Sequence, residues 1–495
     1  MLTKTSLKDN ILKYGPEWKI LLIFLIFFLL RLNKLGYHDF WYDEVASVNY
    51  AYFPWSNWNV PLYWILLHFW IKIFSFSEFS LRFPSLIFNF LSIVLVFLLG
   101  KKLFNKKIGI IASIFIGLSP FHLWYAQEAR DYSMVLFLGT FAFYLLFKAI
   151  EKGEIKFWLL FAFISLIGIY TNYFFALLLF TQALGIIFFK KVRLSFKVVA
   201  CFLIIALGFS FYLPRFLEKF YYIWYGFWVP KPTWQSLIIT LENYILGYSG
   251  FPLLYLISDL LLVLLFISLF WVLRRKELRQ NLILCMFLFI FPIICVFCFS
   301  KTFFSIYLDR ALILFSPYFY LVLAVIIGSL NKALRAVSLI LLIVISFIAI
   351  NNYFKDSMSM PLAHHMGTYI KKPIRPVVKF FKDNIESQDI VAFTNESVMR
   401  SFIFYRKESY PLYYFFDPVF PNTSWHRPVF ESNFVVPLKK INLLKAKRIW
   451  VISSDWARNG ELDDNSRSVK NWMDSNFKRD FSKEFDGLWV FMYIK

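Results

Sequence analysis

The sequence predicts an all-α membrane protein whose chain crosses the bilayer many times and ends in a small α/β domain. Of the 495 residues, 59% are hydrophobic and only 17% are charged, whereas a soluble domain carries about a quarter charged residues. Apolar runs of roughly 17–25 residues, long enough to cross a bilayer as helices, recur along most of the chain. These runs are continuous rather than alternating, which excludes a membrane-spanning β-barrel.

About eleven spans, and at most thirteen, are expected within residues 1–352, which we predict to be the transmembrane module. They fall at 18–35, 82–103, 107–121, 132–150, 156–171, 173–190, 197–214, 252–273, 280–299, 308–328 and 335–352. The segment Pro61–Phe76 is apolar but short, so it could be a further span or a helix that lies along the membrane interface.

The basic residues are grouped in alternate loops between these spans. The groups are Lys101–Lys107, Lys148–Lys156, Lys190–Lys197, Arg274–Arg279 and Lys332–Arg335. Lys and Arg concentrate in cytoplasmic loops, so we predict that these loops and the N-terminus are cytoplasmic and that the C-terminus is extracytoplasmic. This topology accounts for a formal net charge of +22, and no nucleic-acid partner is expected.

Residues 353–495 have ordinary polarity and are predicted to form an extracytoplasmic α/β domain. Strand-like runs occur at Asp389–Thr394, Lys447–Ser453 and Leu488–Ile494. Helix-like stretches occur at Val377–Asn384 and Ser468–Phe477.

The polar chemistry of the chain lies in the loops on the side opposite the basic ones. The first of these loops carries two adjacent carboxylates, Asp43 and Glu44, in the sequence WYDE. Adjacent side chains of a helix or strand do not point the same way, so the two carboxylates should have different roles. A partly desolvated carboxylate at the membrane edge can act as a general base toward a hydroxyl. A pair of solvated loop acids is the alternative.

Three further external segments carry candidate substrate-binding residues. These residues are Gln127, Glu128, Arg130, Tyr170, Asn172, Tyr173, Asp309 and Arg310. A guanidinium group is a permanently charged, planar donor that suits a phosphate. An ionisable cluster on one membrane face favours an active site in the outer leaflet over a transport path, whose charges lie near the midplane. Structural ion pairs, a helix cap and an interfacial aromatic belt are the alternatives for these segments.

No cofactor is expected from the sequence. His38, His68 and His122 lie in the same part of the chain as the acidic pair, but their spacing does not match a metal-ligand pattern. A divalent metal would be possible without being required. The sequence contains no Walker loop, dinucleotide-binding fingerprint, heme motif or serine-nucleophile elbow, so nucleotide chemistry is not expected.

Several motifs occur in an order that resembles a known superfamily. WYDE, NVPLYWILLHFW, SEFSLRFPS, GKKLFNKKIGIIAS, LSPFHLWYAQEARDYS and GIYTNYFFALLL lie within residues 18–180, with a weaker echo at YLDRALILFSPY. Together they resemble the membrane glycosyltransferases of the GT-C superfamily, in the bacterial branch related to protein O-mannosyltransferases and to the aminoarabinose transferase of lipid A. Relatives often carry His-Pro-Pro before the Leu-Tyr pair, whereas Asn59-Val60-Pro61 stands here. The role of that His is therefore not carried over.

The resemblance implies a GT-C-like enzyme that moves a sugar from a polyprenyl-phosphate donor to a hydroxyl acceptor outside the membrane, with inversion. The acceptor would be a lipid, a glycan or a protein, and the membrane would be a bacterial plasma (inner) membrane. The implied base is Asp43, with Glu44 as its supporting neighbour. Arg130 and Arg310 would stabilise the leaving phosphate without a metal. A transporter or flippase of lipid-linked sugars and an inactive scaffold relative are the alternatives.

Overall fold

The computed structural model describes residues 17–54, 62–190, 196–224, 227–356, 371–406, 410–417, 435–443, 446–455 and 462–495. The part before residue 357 is helical. Its helices are α1 (Glu17–Leu32), α2 (Tyr42–Tyr52), α3 (Leu62–Ile73), α4 (Glu78–Leu103), α5 (Lys106–Leu118), α6 (Pro120–Ala126), α7 (Tyr132–Lys152), α8 (Ile155–Ile169), α9 (Phe174–Lys190), α10 (Phe196–Ser210), α11 (Leu213–Trp224), α12 (Trp234–Leu246), α13 (Pro252–Val272), α14 (Lys276–Thr302), α15 (Ser316–Ser329) and α16 (Lys332–Phe354).

These helices confirm the predicted class of a multi-pass membrane protein. Within the described ranges, α4, α7, α13, α14 and α16 are long and apolar enough to cross a membrane. Two bent pairs, α5 with α6 and α10 with α11, raise the number from five to seven if each pair is one span. The other predicted spans fall on shorter helices. The 12 residues of α3 extend only about 18 Å, which favours the interfacial alternative for Pro61–Phe76.

Two predicted spans are not continuous helices. The predicted span 107–121 is broken, because the chain bends by 63° between α5 and α6, where Pro120 occupies the first turn of α6. A proline has no N–H to continue the preceding helix. The span 197–214 bends by 64° next to Pro214 for the same reason. The aromatic stretch 215–251, which lies between two predicted spans, contains most of α11 and all of α12.

A pair of glycines allows α4 and α5 to cross closely. A Cβ atom added to Gly100 would lie 2.6 Å from Cα of Gly109, and one added to Gly109 would lie 2.5 Å from the carbonyl oxygen of Phe97. Both distances are far below van der Waals contact, so a close-packed interior leaves no room for a side chain at either position. This crossing fixes α4, which carries Arg82 to the candidate site.

The C-terminal part forms a six-stranded sheet with the strand order β3-β2-β1-β4-β6-β5. The strands are β1 (Ile390–Phe393), β2 (Leu412–Phe416), β3 (Val435–Pro437), β4 (Arg448–Ser454), β5 (Lys478–Phe485) and β6 (Leu488–Ile494). The helices around them are α17 (Ile374–Asn384), α18 (Glu396–Tyr405) and α19 (Asp464–Asn476). Strands β3, β2, β1 and β4 are parallel, and β6 is antiparallel to both β4 and β5. This sheet confirms the predicted small α/β domain.

The α/β domain contacts the loop between α1 and α2. Arg375 forms an ion pair with Asp39. The Tyr405 hydroxyl accepts a hydrogen bond from the backbone N–H of Phe40 at 2.7 Å and donates one to Glu78 at 2.8 Å. The loop is therefore held between the helical part and the α/β domain.

Candidate active site

Arg82 on α4 organises the loop between α1 and α2. Its buried guanidinium donates to the backbone carbonyl oxygens of Leu35, His38 and Asp39 at 3.0, 2.9 and 3.2 Å. Its two remaining N–H groups donate to the two carboxylate oxygens of Glu44 at 2.7 and 2.8 Å. A bidentate pair fixes orientation as well as distance. Arg82 therefore sets the position of the start of α2.

Glu44 is enclosed by its partners. Besides Arg82, its carboxylate accepts a hydrogen bond from the N–H of Ala129 at 3.0 Å and lies 3.7 Å from the Lys371 ammonium. Burial alone would raise the pKa of Glu44, but the two cations and the hydrogen bonds lower this pKa to about 2. A buried carboxylate with so low a pKa is a poor proton acceptor. The geometry favours a positioning role for Glu44.

Asp43 has a different environment, although it is the neighbouring residue. Its side chain is 18% exposed, and its Oδ2 atom lies 3.9 Å from Nη1 of Arg310. Its backbone carbonyl oxygen accepts hydrogen bonds from the Ser47 hydroxyl at 2.9 Å and from Nη1 of Arg130 at 3.5 Å. Asp43 is thus an accessible carboxylate beside two guanidinium groups.

Both guanidinium groups lie over aromatic rings. The Arg130 guanidinium is 5.4 Å from the ring centroid of Trp64 and 5.6 Å from that of Tyr132. Its Nε atom has no hydrogen-bond partner among the residues that the structure describes. Arg310 lies 5.6 Å from the ring centroid of Trp228. Aromatic contacts of this kind hold a guanidinium in a fixed plane.

A cavity of 530 Å³ opens beside Arg130. Asn172 and Tyr173 also line it, as does a second basic residue, Lys219 on α11. Most of the wall is apolar and includes Leu177, Phe216, Phe220, Val296, Phe299 and Phe304. A largely apolar pocket with a few well-placed polar groups is typical of a small-molecule site. This one suits an amphiphile with an anionic head group.

Two buried ionisable side chains lie near the start of α2. Glu128 accepts a hydrogen bond from Nε1 of Trp124 at 2.7 Å, and its Oε2 atom has no such partner within the described ranges. Burial raises the pKa of Glu128 to about 7. Burial also lowers the pKa of Lys371 to about 8, and the Lys371 ammonium donates to the carbonyl oxygen of Gln127 at 2.7 Å. The site therefore contains a buried carboxyl group with a raised pKa and a buried ammonium group with a lowered pKa.

Two predicted substrate-binding residues have their polar atoms bonded within the protein. The Gln127 amide donates to two backbone carbonyl oxygens at the end of α1, at 2.8 and 2.7 Å, and accepts from the Tyr353 hydroxyl at 2.7 Å. The Tyr170 hydroxyl donates to the carbonyl oxygen of Gly208 at 2.8 Å. These contacts hold helices together.

Asp309 and Asn172 also have internal partners. The Asp309 carboxylate accepts hydrogen bonds from Asn243 at 2.6 Å and from the Tyr248 hydroxyl at 3.0 Å. Asn172 donates to Asp131 at 2.8 Å and accepts from a backbone N–H at the start of α9. Asp309 therefore fixes the loop that carries the neighbouring arginine, and Asn172 combines a capping role with a place in the cavity wall.

The sequence reasoning missed Arg82, Lys219 and Lys371. Arg82 had a signal, because an ionisable residue within a membrane span is itself a pointer to function. Lys219 lies on α11, most of which falls outside the predicted spans. Lys371 lies in the polar tail and comes to the site only through tertiary contacts, so no local pattern could identify it.

The three histidines that were considered as metal ligands have separate partners. His38 lies 3.0 Å from Asp356, and Nδ1 of His68 lies 2.8 Å from a backbone carbonyl oxygen. Nε2 of His122 lies 3.0 Å from the Ser316 hydroxyl. The described part of the chain contains no group of three or more His, Cys, Asp or Glu side chains that could hold a metal ion.

The sequence matches known proteins over part of its length. The family described as dolichyl-phosphate-mannose-protein mannosyltransferase matches residues 59–217. The undecaprenyl phosphate-alpha-4-amino-4-deoxy-L-arabinose arabinosyl transferase of Wigglesworthia glossinidia brevipalpis is 26% identical over 216 residues. That match covers 39% of this chain and 38% of the relative, so it spans well under half of the relative's length.

Two solved structures of ArnT from Cupriavidus metallidurans match nearly the whole chain. The apo structure has a TM-score of 0.60 and 10% identity, and the match covers 97% of this chain and 98% of that one. The structure bound to undecaprenyl phosphate has a TM-score of 0.59 and 10% identity, with 96% and 98% covered. At this identity the likeness shows a shared fold.

In fold and in part of its sequence, the chain resembles membrane proteins of the GT-C type. Within that class, the predicted resemblance to the branch of protein O-mannosyltransferases and the lipid A aminoarabinose transferase is confirmed.

Proposed function

We propose that the protein is a glycosyltransferase that moves a sugar from a polyprenyl-phosphate donor to a hydroxyl acceptor at the outer face of the membrane. One observation carries this proposal. The accessible Asp43 carboxylate lies 3.9 Å from Arg310, beside a largely apolar cavity that Arg130 lines. A base, phosphate-binding cations and a pocket for a lipid are the parts that this reaction needs. The ArnT structure that holds undecaprenyl phosphate supports a donor of the same class here.

The proposed reaction is a single displacement. Asp43 takes the proton of the acceptor hydroxyl while the hydroxyl oxygen attacks the anomeric carbon on the face opposite the phosphate. The bond between the anomeric carbon and the phosphate oxygen breaks, and the polyprenyl phosphate leaves with one more negative charge. The anomeric configuration is inverted. Arg130 and Arg310 stabilise the growing charge through preorganised donors, so that no divalent metal is required.

The other site residues are proposed to support these three. Glu44 and Arg82 fix the start of α2 and so aim Asp43. Asn172 and Tyr173 line the donor cavity beside Arg130. The remaining candidates, Gln127, Glu128, Tyr170 and Asp309, hold the surrounding helices and loops or tune the charge near Asp43 rather than contact the sugar directly.

We further propose that the reaction takes place at the extracytoplasmic side of a bacterial plasma (inner) membrane. The N-terminus is then cytoplasmic, and the α/β domain is extracytoplasmic. The basic loops that the sequence places on the opposite side support this orientation. A donor attached to lipid enters the cavity sideways from the bilayer, and the acceptor approaches from the aqueous side.

The proposal is tested by transfer of radiolabelled sugar in membranes. Several polyprenyl-phosphate sugars are supplied with a crude cell-envelope acceptor to the wild type, Asp43→Asn and Arg130→Ala. The exposed Asp383 on α17 provides a matched control, Asp383→Asn. We expect transfer by the wild type and the control, and loss of transfer in the other two variants at equal protein level. Equal transfer by Asp43→Asn would move the base role elsewhere. An inactive wild type with every donor would favour a transporter or a scaffold.

A further inference from the structure

Lys371 is the residue through which the C-terminal domain reaches the candidate site. It lies three residues before Ile374, where α17 begins, and its side chain is only 7% exposed. Its ammonium donates to the carbonyl oxygen of Gln127 at 2.7 Å and lies 3.7 Å from Oε2 of Glu44. A buried ammonium is costly unless acceptors and opposite charges surround it. Specific partners therefore hold Lys371 at the site.

Charged and titratable groups from every surrounding element face this ammonium. Glu44 comes from α2, Arg82 from α4, Glu128 from the turn between α6 and α7, and His38 from the loop between α1 and α2. Two cations, Arg82 and Lys371, thus face the buried Glu44 and Glu128 side chains. Without Lys371, the pair of carboxylates would lose one of the cations that compensate them. The charge balance of the site therefore depends on a residue of the C-terminal part.

We propose that Lys371 is a positioning residue for the transfer reaction, supplied by the C-terminal domain to hold the Glu44 carboxylate in place and to compensate the charge of Glu128 near Asp43. The inference rests on the proposed function. Lys371 acts through these carboxylates and does not contact the reacting atoms. The same domain also contacts the loop between α1 and α2 through the Arg375–Asp39 ion pair and the Tyr405–Phe40 hydrogen bond, and it contacts α4 through the Tyr405–Glu78 hydrogen bond. Catalysis and docking of the domain are thereby linked.

The expected effect of Lys371 on the reaction is electrostatic. Burial raises the pKa of Glu128, and the Lys371 ammonium opposes that rise. Removal of the ammonium therefore raises the pKa of Glu128 further, and the carboxyl stays protonated up to a higher pH. An ionised Glu128 adds negative charge that favours proton uptake by Asp43 during transfer, so transfer slows at every pH at which Glu128 is neutral. The acid limb of the activity profile should move to higher pH.

The test compares Lys371→Met and Lys371→Arg in the full-length protein. The matched control is Lys372→Met, because Lys372 is the next residue and pairs with Asp455 inside the C-terminal domain. The measured quantities are kcat and the donor KM from pH 5 to pH 9. For Lys371→Met we expect kcat to fall on the order of tenfold to a hundredfold, with donor KM little changed and the acid limb moved to higher pH. Lys371→Arg should restore most of the rate, and Lys372→Met should resemble the wild type.

The pH profile separates this role from a purely structural one. Equal losses in the Lys371→Met and Lys372→Met variants, with an unchanged pH profile, would overturn the inference. If Lys371→Met does not fold, the comparison is made between Lys371→Arg and Lys371→Gln in a Glu128→Gln background. In that background, the acid limb of the activity profile should lie at the same pH for Lys371→Arg and Lys371→Gln. A different pH for the two variants would overturn the inference. If the wild type and Lys371→Met transfer sugar equally well, this inference is contradicted and the proposed function stands. If the wild type is inactive, the proposed function is contradicted.

Discussion

Replacement of Arg82 by methionine is expected to lower the free energy of unfolding strongly. The five N–H groups of Arg82 all donate, two to the Glu44 carboxylate and three to backbone carbonyl oxygens of the loop after α1. Arg82 and Glu44 are 1% and 0% exposed, so solvent cannot replace the lost bonds. Removal of one partner from a buried ion pair costs about 3–5 kcal/mol. We expect Arg82→Met to fall in that range.

The measurement is denaturant-induced unfolding of the purified protein in detergent micelles. Arg82→Lys keeps the charge but loses the planar, bidentate geometry, so we expect roughly half of the loss. Lys102→Met serves as the control, because the Lys102–Glu151 pair is partly exposed and such pairs contribute about 1 kcal/mol or less. If Arg82→Met unfolds within about 1 kcal/mol of the wild type, the organising role of Arg82 is refuted.

Three further predictions concern pH, packing and metal. The pKa of Glu128 is raised to about 7 from an ordinary value of 4.5. Its contribution to stability is therefore full below pH 4.5 and is lost as the pH rises through 7. Glu128→Gln should remove this decline from the pH dependence of the melting temperature, and an unchanged decline would contradict the assignment. Gly109→Ala should cost about 1–3 kcal/mol in the unfolding titration because its Cβ atom would meet the backbone of α4, and a neutral result would show that the helices can separate. Sugar transfer should survive exhaustive treatment with EDTA. If transfer is lost and then recovers when a divalent metal is added, Arg130 and Arg310 do not suffice to stabilise the leaving phosphate.

Much of the fold could be predicted because hydropathy and length determine membrane spans directly. The helices α4, α7, α13, α14 and α16 satisfy both criteria and correspond to predicted spans. The breaks within the spans at 107–121 and 197–214 were missed, although a proline stands at each. Apolar composition continues across a bend, so hydropathy alone gives one long helix. In the C-terminal domain, β1, β4 and β6 were predicted from their apolar runs. The exposed residues of β5 gave no such signal.

The candidate site was only partly predictable for a different reason. Asp43, Arg130 and Arg310 lie at helix ends on one side of the predicted topology, and the structure brings them together. The sequence predicted that the Asp43 and Glu44 side chains point in different directions. It did not predict which of the two is enclosed by the protein. Which of the two is enclosed depends on Arg82, whose partners are 38 or more residues away. Such long-range contacts leave no local pattern in the sequence.

The most direct test of the account is a comparison of donor binding and single-turnover transfer in purified Asp43→Asn. Asparagine keeps the shape of the side chain but cannot accept the proton of the acceptor hydroxyl. The account predicts that Asp43→Asn binds the polyprenyl-phosphate sugar at least as tightly as the wild type, because a negative charge beside Arg130 and Arg310 is removed. It also predicts that transfer falls by about 10²–10⁴-fold, the usual contribution of a general base. Transfer at the wild-type rate, or a loss explained entirely by weaker donor binding, would contradict the assignment of Asp43 as the base.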